Sequence, residues 1–304
     1  EKRLMADVPL GSFLSGGLDS SAIAALAIRR TGRLRTFSVG TPGSPDLAAA
    51  RYVAEHIGSD HHEYVLDPAE IRARLPRIVA ELESFDADLV RSVVPTWFTA
   101  RLAAEHVKVV LTGEGADELF AGYAYHADYD GAWKALASEL SRSLTTMHDL
   151  NLQRVDRMTM AHGLEARVPF LDTELVALAQ RVDPRLKRKD GVEKWILRLA
   201  VEDLLPESIV WRDKAQFDEG SGTTDLLGEL VEELRSSAVA SGRSDAPPPG
   251  ASELEVPLRS PEETIYYRWF AEAFPDPALA AAVIGRWRHG RTVPETAPGS
   301  GSDA

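Results

Sequence analysis

The sequence predicts an α/β protein: a parallel sheet with helices on both faces, followed by a mainly helical C-terminal half. Three observations carry that prediction. Over residues 1–125, short apolar runs alternate with helical stretches of ten or more residues, the pattern of βαβ units. Val107–Leu111, VKVVL, is densely β-branched, as strands covered on both faces are. After Gly122 the strand signals fade and helical patterning takes over.

Taken in order, Val8–Leu14 reads as a short buried strand and Leu18–Arg30, LDSSAIAALAIRR, as an apolar-rich helix. Arg35–Val39 is a second strand, closed by the turn GTPGSPD, with Asp46 placed to cap a helix reaching about Ile57. His62–Leu66 reads as a third strand, Pro68–Glu83 and Pro95–Glu105 as helices, and Val107–Leu111 as a fourth strand. Helices are expected near 149–162, 172–181, 192–204, 225–236 and 261–273. Ser241–Pro257, SGRSDAPPPGASELEVP, reads as a flexible loop and residues 291–304 as a disordered tail. There is no internal repeat. Residues 1–290 thus form one unit, with an α/β part to 125 and a helical part from 126.

Composition narrows the partners. The chain has 304 residues, 44% of them hydrophobic and 27% charged, as in a globular protein that buries a large core. No apolar run approaches the roughly 18–20 residues of a membrane helix, and EKRLMADVP lacks the core of a signal peptide. With zero cysteine the chain has no disulfide, thiolate metal site or cysteine nucleophile. A cytoplasmic location with no membrane partner is expected. A net charge of −13 argues against a nucleic-acid footprint, which wants a basic face. A nucleotide ligand remains open, since its charge can be met locally. Because few residues precede the first strand, the chain is read as the C-terminal part of a longer polypeptide.

The first motif, FLSGGLDSS, lies at Phe13–Ser21, beyond the carboxyl end of strand one, where open parallel sheets bind ligands. Gly16 and Gly17 allow successive N–H groups to point at one anion. The helix starting near Leu18 adds its positive end, and Ser15, Ser20 and Ser21 add hydroxyls. Asp19 is the odd member, because a bare carboxylate repels phosphate. A Mg²⁺ ion bridging Asp19 and phosphate oxygens removes that conflict. A plain capped turn explains two glycines but not the whole pattern. The motif is neither a Walker A loop nor a G-x-G-x-x-G loop. It resembles the PP-loop of enzymes that cleave ATP between the α- and β-phosphates, within a Rossmann-like sheet.

The second motif, LTGEGADELFAGY at Leu111–Tyr123, follows the fourth strand as the first follows strand one. Asp117 is placed to share the metal with Asp19. Glu114 and Glu118 are further acids for positioning a substrate or moving a proton. Helix capping accounts for one or two of these acids, but not for three flanked by Gly113, Gly115 and Gly122.

With both motifs in view, the chain resembles the synthetase domain of glutamine-dependent asparagine synthetases. The likeness runs nearly end to end through RLMADVPLGSFLSGGLDSS, TFSVGTPGSPD, VVLTGEGADELFAGY, DRMTMAHGLEARVPFLD, EKWILR, LLPESIVWRDKAQFDEG and YYRWF. It implies that the side-chain carboxylate of aspartate attacks the α-phosphorus of ATP, giving β-aspartyl-AMP and pyrophosphate. Ammonia then converts the adenylate to asparagine and AMP. Carried over, Ser15, Gly16, Gly17, Asp19, Ser20 and Ser21 form the pyrophosphate loop, and Asp19 and Asp117 hold Mg²⁺. Backbone around Leu14, Val39 and Gly113 holds the adenosine. Glu114 contacts the intermediate and deprotonates the attacking ammonium. Lys194 meets the charge developing on the phosphates, with Arg198 one turn later on the same helical face. Asp88 and Arg91 fall where relatives position the amino acid, with Arg91 able to bind a carboxylate bidentately, and Glu118 is a further candidate substrate contact.

Other positions read as structural. Arg167 in GLEARVPFLD suits a buried arginine paired with Glu165 or Asp172, with direct catalysis as the alternative. His162 reads as a core histidine, and His61–His62 lacks metal-site spacing. In RSVVP, Val93 and Val94 stand where relatives carry hydroxyl residues, so they either remove substrate contacts or face the core. The resemblance also implies a glutaminase partner, as an N-terminal domain or separate subunit, and a homodimer is compatible with it. Three rival readings remain. A β-lactam synthetase-like enzyme would carry tyrosine at the position of Glu114. A tRNA-modifying PP-loop enzyme sits badly with the acidic balance and absence of cysteine. A non-catalytic nucleotide module sits badly with Asp19, Glu114, Asp117 and Lys194 together.

Overall fold

The computed structural model describes residues 1–213, 220–240, 251, 254 and 257–276. The expected tail lies outside these residues, as does the expected loop at 241–257 apart from Ala251, Leu254 and Pro257.

Five parallel strands form one sheet in the order β3-β2-β1-β4-β5, namely β1 Leu10–Phe13, β2 Arg35–Gly40, β3 Asp60–Val65, β4 Val109–Leu111 and β5 Glu165–Arg167. Gly11 lies opposite Arg35 on one side and Val110 on the other, so the central strand β1 has β2 and β4 as its neighbours. The chain winds outward in both directions from β1. The loops after β1 and β4 therefore part at the carboxyl edge and leave a crevice between them.

β1 and β4 are shorter than the sequence suggests, and β5 is an unexpected strand in the half read as mainly helical, between the helices expected at 149–162 and 172–181. β5 is only three residues long, two of them charged, a composition suited to a sheet edge. Its register, Val110 opposite Ala166, continues the parallel pattern.

The first helices are α1 Leu18–Thr31, α2 Pro45–Ile57, α3 Pro68–Leu82 and α4 Ala87–Ala104. Ser44, not Asp46, caps α2, accepting the Leu47 N–H at 3.3 Å. Asp46 is instead buried in the first turn and ion-paired with Arg212 at 2.9 Å. α4 begins at Ala87, where Asp86 accepts the Asp88 and Leu89 N–H groups, and it runs through Pro95. An interior proline costs a helix about 3 kcal/mol. Each fully buried aliphatic or aromatic side chain returns about 1.5–3 kcal/mol. Val90, Val93, Val94 and Phe98 are all fully buried, so packing outweighs the proline.

The second half adds α5 Ala116–Phe120, α6 Trp133–Thr146, α7 Asn151–Met160, α8 Thr173–Arg181, α9 Pro184–Lys187, α10 Trp195–Val201, α11 Glu207–Val210, α12 Thr223–Ala240 and α13 Pro261–Ala273. The expected helix at 192–204 shrinks to α10, and α6 carried no sequence signal that was read. Both faces of the sheet are covered: Val110 packs with Phe37 and Ala103, and Leu111 with Leu18 and Val53. The helical half shares these cores. Phe170, Val201 and Ile209 join α1 and α2, while Tyr266, Tyr267 and Phe270 of α13 pack on α3 and α4. Among the described residues no helix is long and apolar enough to cross a membrane.

Candidate active site

The loop between β1 and α1 is tied by its own hydroxyls. Ser15 N–H donates to Ser20 Oγ at 3.1 Å, and Gly17 N–H donates to Ser15 Oγ at 3.3 Å. The two serine hydroxyls lie 3.0 Å apart. Gly16 has φ +74°, and a Cβ there would come within 2.5 Å of Ala49 Cβ and of the Ala50 nitrogen. Only glycine fits that turn against α2. Gly17 caps α1 with no side-chain bond, so the helix presents its amino end with the acid Asp19 in its first turn.

The loop after β4 touches the first one. A Cβ on Gly113 would lie 2.9 Å from Asp19 Cβ and 3.0 Å from the Ser20 nitrogen. α5 then carries Asp117 to the same place. Lys194, at the amino end of α10, reaches in from the helical half: its Nζ donates to Asp19 Oδ2 at 2.5 Å and lies 2.7 Å from Asp117 Oδ1. Burial alone pulls the Lys194 ammonium's pKa down, but Asp117 and Asp19 outweigh it, and the net displacement is upward. At Gly122 a side chain would overlap Asp117 Oδ1 and Lys194 Cε, so the residue leaves room for both.

Asp19 and Asp117 therefore aim at one point. Among the described residues no cluster of three metal-ligating side chains occurs. Two carboxylates completed by phosphate oxygens and water nevertheless suit Mg²⁺, which binds nucleotide sites through one or two carboxylates. The donor set fits the ion.

The two glutamates of the second motif part company. Glu114 lines the crevice and accepts from Arg154 Nη2 at 2.5 Å. Glu118 points inward and is not among the lining residues. It accepts from Tyr123 Oη at 2.6 Å and Asn151 Nδ2 at 3.0 Å. Burial, helped by Asp117, pushes its pKa up to about 7. Tyr123 and Asn151 face the cavity in its place.

The crevice holds a cavity of about 780 Å³. Leu14, Ser15, Gly17, Asp19, Ser20, Gly113, Glu114, Asp117, Lys194, Arg198 and Asp88 all line it. Gly16, Ser21 and Val39 do not: Ser21 is buried, and Val39 packs in the core beside α3 and α4. Arg198 is 3% exposed, and its guanidinium donates to the carbonyls of Glu193, Val210 and Arg212 and to the Glu193 carboxylate. Arg91 is off the cavity wall, its guanidinium held by both oxygens of Glu262. Val93 and Val94 face the core, while Ser92, Thr96 and Thr99 line the cavity.

Three further cations stand at the wall: Arg154, Arg188 and Arg212. Arg188 pairs with Asp130 at 2.9 Å, and Arg212 donates to the Gly16 carbonyl at 3.3 Å. Each reaches the crevice from the helical half, and only the word WRDKAQF, which contains Arg212, marked any of them in sequence. Arg167 bonds Glu165 at 2.7 Å and the carbonyl of Met5 at 2.7 Å, tying β5 to the N-terminal segment. His162 packs edge-on against Trp97, and His61 bonds Thr36 at 2.8 Å.

Comparison with known proteins shows the family to which the chain belongs. The family model described as asparagine synthase matches residues 1–137 and 128–282. The glutamine-hydrolysing asparagine synthetase 1 of Saccharomyces cerevisiae is 36% identical over 335 residues, covering 94% of this chain and 57% of the relative. Asparagine synthetase B of Escherichia coli is 35% identical, covering 94% of this chain and 54% of the relative. Asparagine synthetase 2 of Arabidopsis thaliana is 36% identical, covering 93% and 52%. The chain spans about half the length of the curated relatives it matches.

Proposed function

We propose, from the premise that the chain belongs to the asparagine synthase family, that it is an ATP-dependent amide-forming ligase making asparagine from aspartate, ATP and ammonia. A β-carboxylate oxygen attacks the α-phosphorus of ATP, the bond to the bridging oxygen breaks, and pyrophosphate leaves. The nitrogen of ammonia then bonds the acyl carbon of β-aspartyl-AMP. The carbon–oxygen bond breaks, AMP departs with its electron pair, and the surplus proton on nitrogen passes to Glu114.

One observation carries the reading: the Lys194 ammonium stands between Asp19 and Asp117, at the meeting of the two loops. Ser15, Gly17, Ser20 and the amino end of α1 hold the departing pyrophosphate. Asp19 and Asp117 hold Mg²⁺, which offsets phosphate charge when bound. Lys194 meets the charge that develops on the phosphates. Backbone near Leu14 and Gly113 seats the adenosine, and Asp88 faces the amino acid. Ammonia comes from glutamine through a glutaminase domain or subunit, since a chain with no cysteine has no thiol for that hydrolysis.

A second reading, adenylation of another carboxylate by a β-lactam synthetase-like enzyme, is favoured by one observation. Arg91 is engaged by Glu262 and not turned to the cavity. The experiment is pyrophosphate release from ATP and Mg²⁺ with ammonium and a panel of amino acids. Aspartate as the best substrate supports asparagine synthesis, another carboxylate supports the second reading, and ADP with phosphate in place of AMP with pyrophosphate overturns both.

A further inference from the structure

α7 runs beneath the second loop and presents two side chains to its two glutamates. Asn151 Nδ2 donates to Glu118 at 3.0 Å, and Arg154, three residues on, donates to Glu114 at 2.5 Å. Arg154 is 9% exposed and lines the cavity beside Glu114. A buried guanidinium bound to a half-buried carboxylate fixes its direction.

We infer that Arg154 is the positioning residue for Glu114, holding that carboxylate aimed at the nitrogen that attacks the acyl-adenylate. The inference rests on the proposed ligase reading. The other charged groups near Glu114 have partners of their own. Glu118, on α5, is held by Tyr123 and Asn151. Asp117 and, on α1, Asp19 are countered by Lys194 from α10. The cation in contact with Glu114 comes from α7. Arg154 is ion-paired with Glu114, the group that takes the proton in the amide-forming step, so its influence is expected there rather than on adenylation.

The two steps separate experimentally. Adenylation is read as amino-acid-dependent ATP–pyrophosphate exchange, and amide formation as ammonium-dependent AMP release. For Arg154→Met, exchange is expected within about threefold of wild type, while kcat for the ammonium-dependent step falls on the order of 100-fold. The loss is expected in that kcat, with KM for the amino acid in the exchange reaction little changed. Arg154→Lys keeps the charge but not the planar fork, and recovers part of the rate.

Equal loss of exchange and amide formation overturns the inference, as does no loss in either. Failure of Arg154→Lys to recover any activity also counts against it. A wild type that shows no exchange with any amino acid of the panel overturns the ligase reading itself, and this inference with it.

Discussion

Lys194 Nζ lies 2.5 Å from Asp19 and 2.7 Å from Asp117, so one buried ammonium joins the turn after β1 to the helix after β4. The lysine is 3% exposed, and removing one partner of a buried pair costs about 3–5 kcal/mol, because the remaining charges lose their counterion. The same contact governs how a divalent ion enters. While the ammonium sits between the carboxylates, a free Mg²⁺ ion there meets its positive charge, and the ion is expected to arrive with nucleotide.

Lys194→Met is therefore expected to lose stability and turnover, yet gain a response to Mg²⁺ alone. The melting midpoint of wild type should not move with millimolar Mg²⁺ in the absence of ATP, whereas that of the variant should rise. A thermal melt of each protein against Mg²⁺ checks this. A wild type that responds as strongly as the variant would show that Lys194 does not guard the carboxylates.

Gly122→Ala places a methyl group against Asp117 Oδ1 and Lys194 Cε. Overpacking of this kind costs about 1–3 kcal/mol, and here it also pushes the ion pair apart. Urea denaturation should show a lower midpoint, and pyrophosphate release should drop with it. Unchanged behaviour in both would mean the three groups are not packed as described.

His126 sets an acid limit on the fold. It is fully buried, and burial lowers its pKa from 6.5 to about 4. The folded protein thus refuses a proton that the unfolded chain accepts. Stability is full above pH 6.5 and is lost as pH falls toward 4, by about 3 kcal/mol at 1.36 kcal/mol per unit. Urea midpoints at pH 7.5 and pH 5 measure the slope, and His126→Gln should flatten it. A slope unaltered by the substitution would assign the acid sensitivity to other groups.

The two loops were legible in the sequence because phosphate chemistry demands glycine, hydroxyl and acid within a few residues, and a strand and helix frame them locally. What sits opposite was not, apart from the family resemblance in EKWILR that pointed to Lys194. Lys194 meets Asp19 across 175 residues, and a lone lysine carries no local mark of that partner. Arg91 looked available for a carboxylate until Glu262, 171 residues away, was seen to occupy it. β5 escaped notice because an edge strand of three residues needs no apolar run, and α4 was started too late because Pro95 imitates a helix beginning. Arg154 is similarly silent: its position on α7 is ordinary until the fold brings Glu114 to it.

The most direct test is a crystal structure with Mg²⁺ and an ATP analogue whose α–β bridge resists cleavage. The expected result is the β- and γ-phosphates within hydrogen-bond distance of Ser15–Ser21, a metal bound by Asp19 and Asp117, and the Lys194 ammonium moved from the carboxylates onto phosphate oxygen. Outer phosphates lying away from Ser15–Ser21, with Lys194 still seated between Asp19 and Asp117, would contradict it.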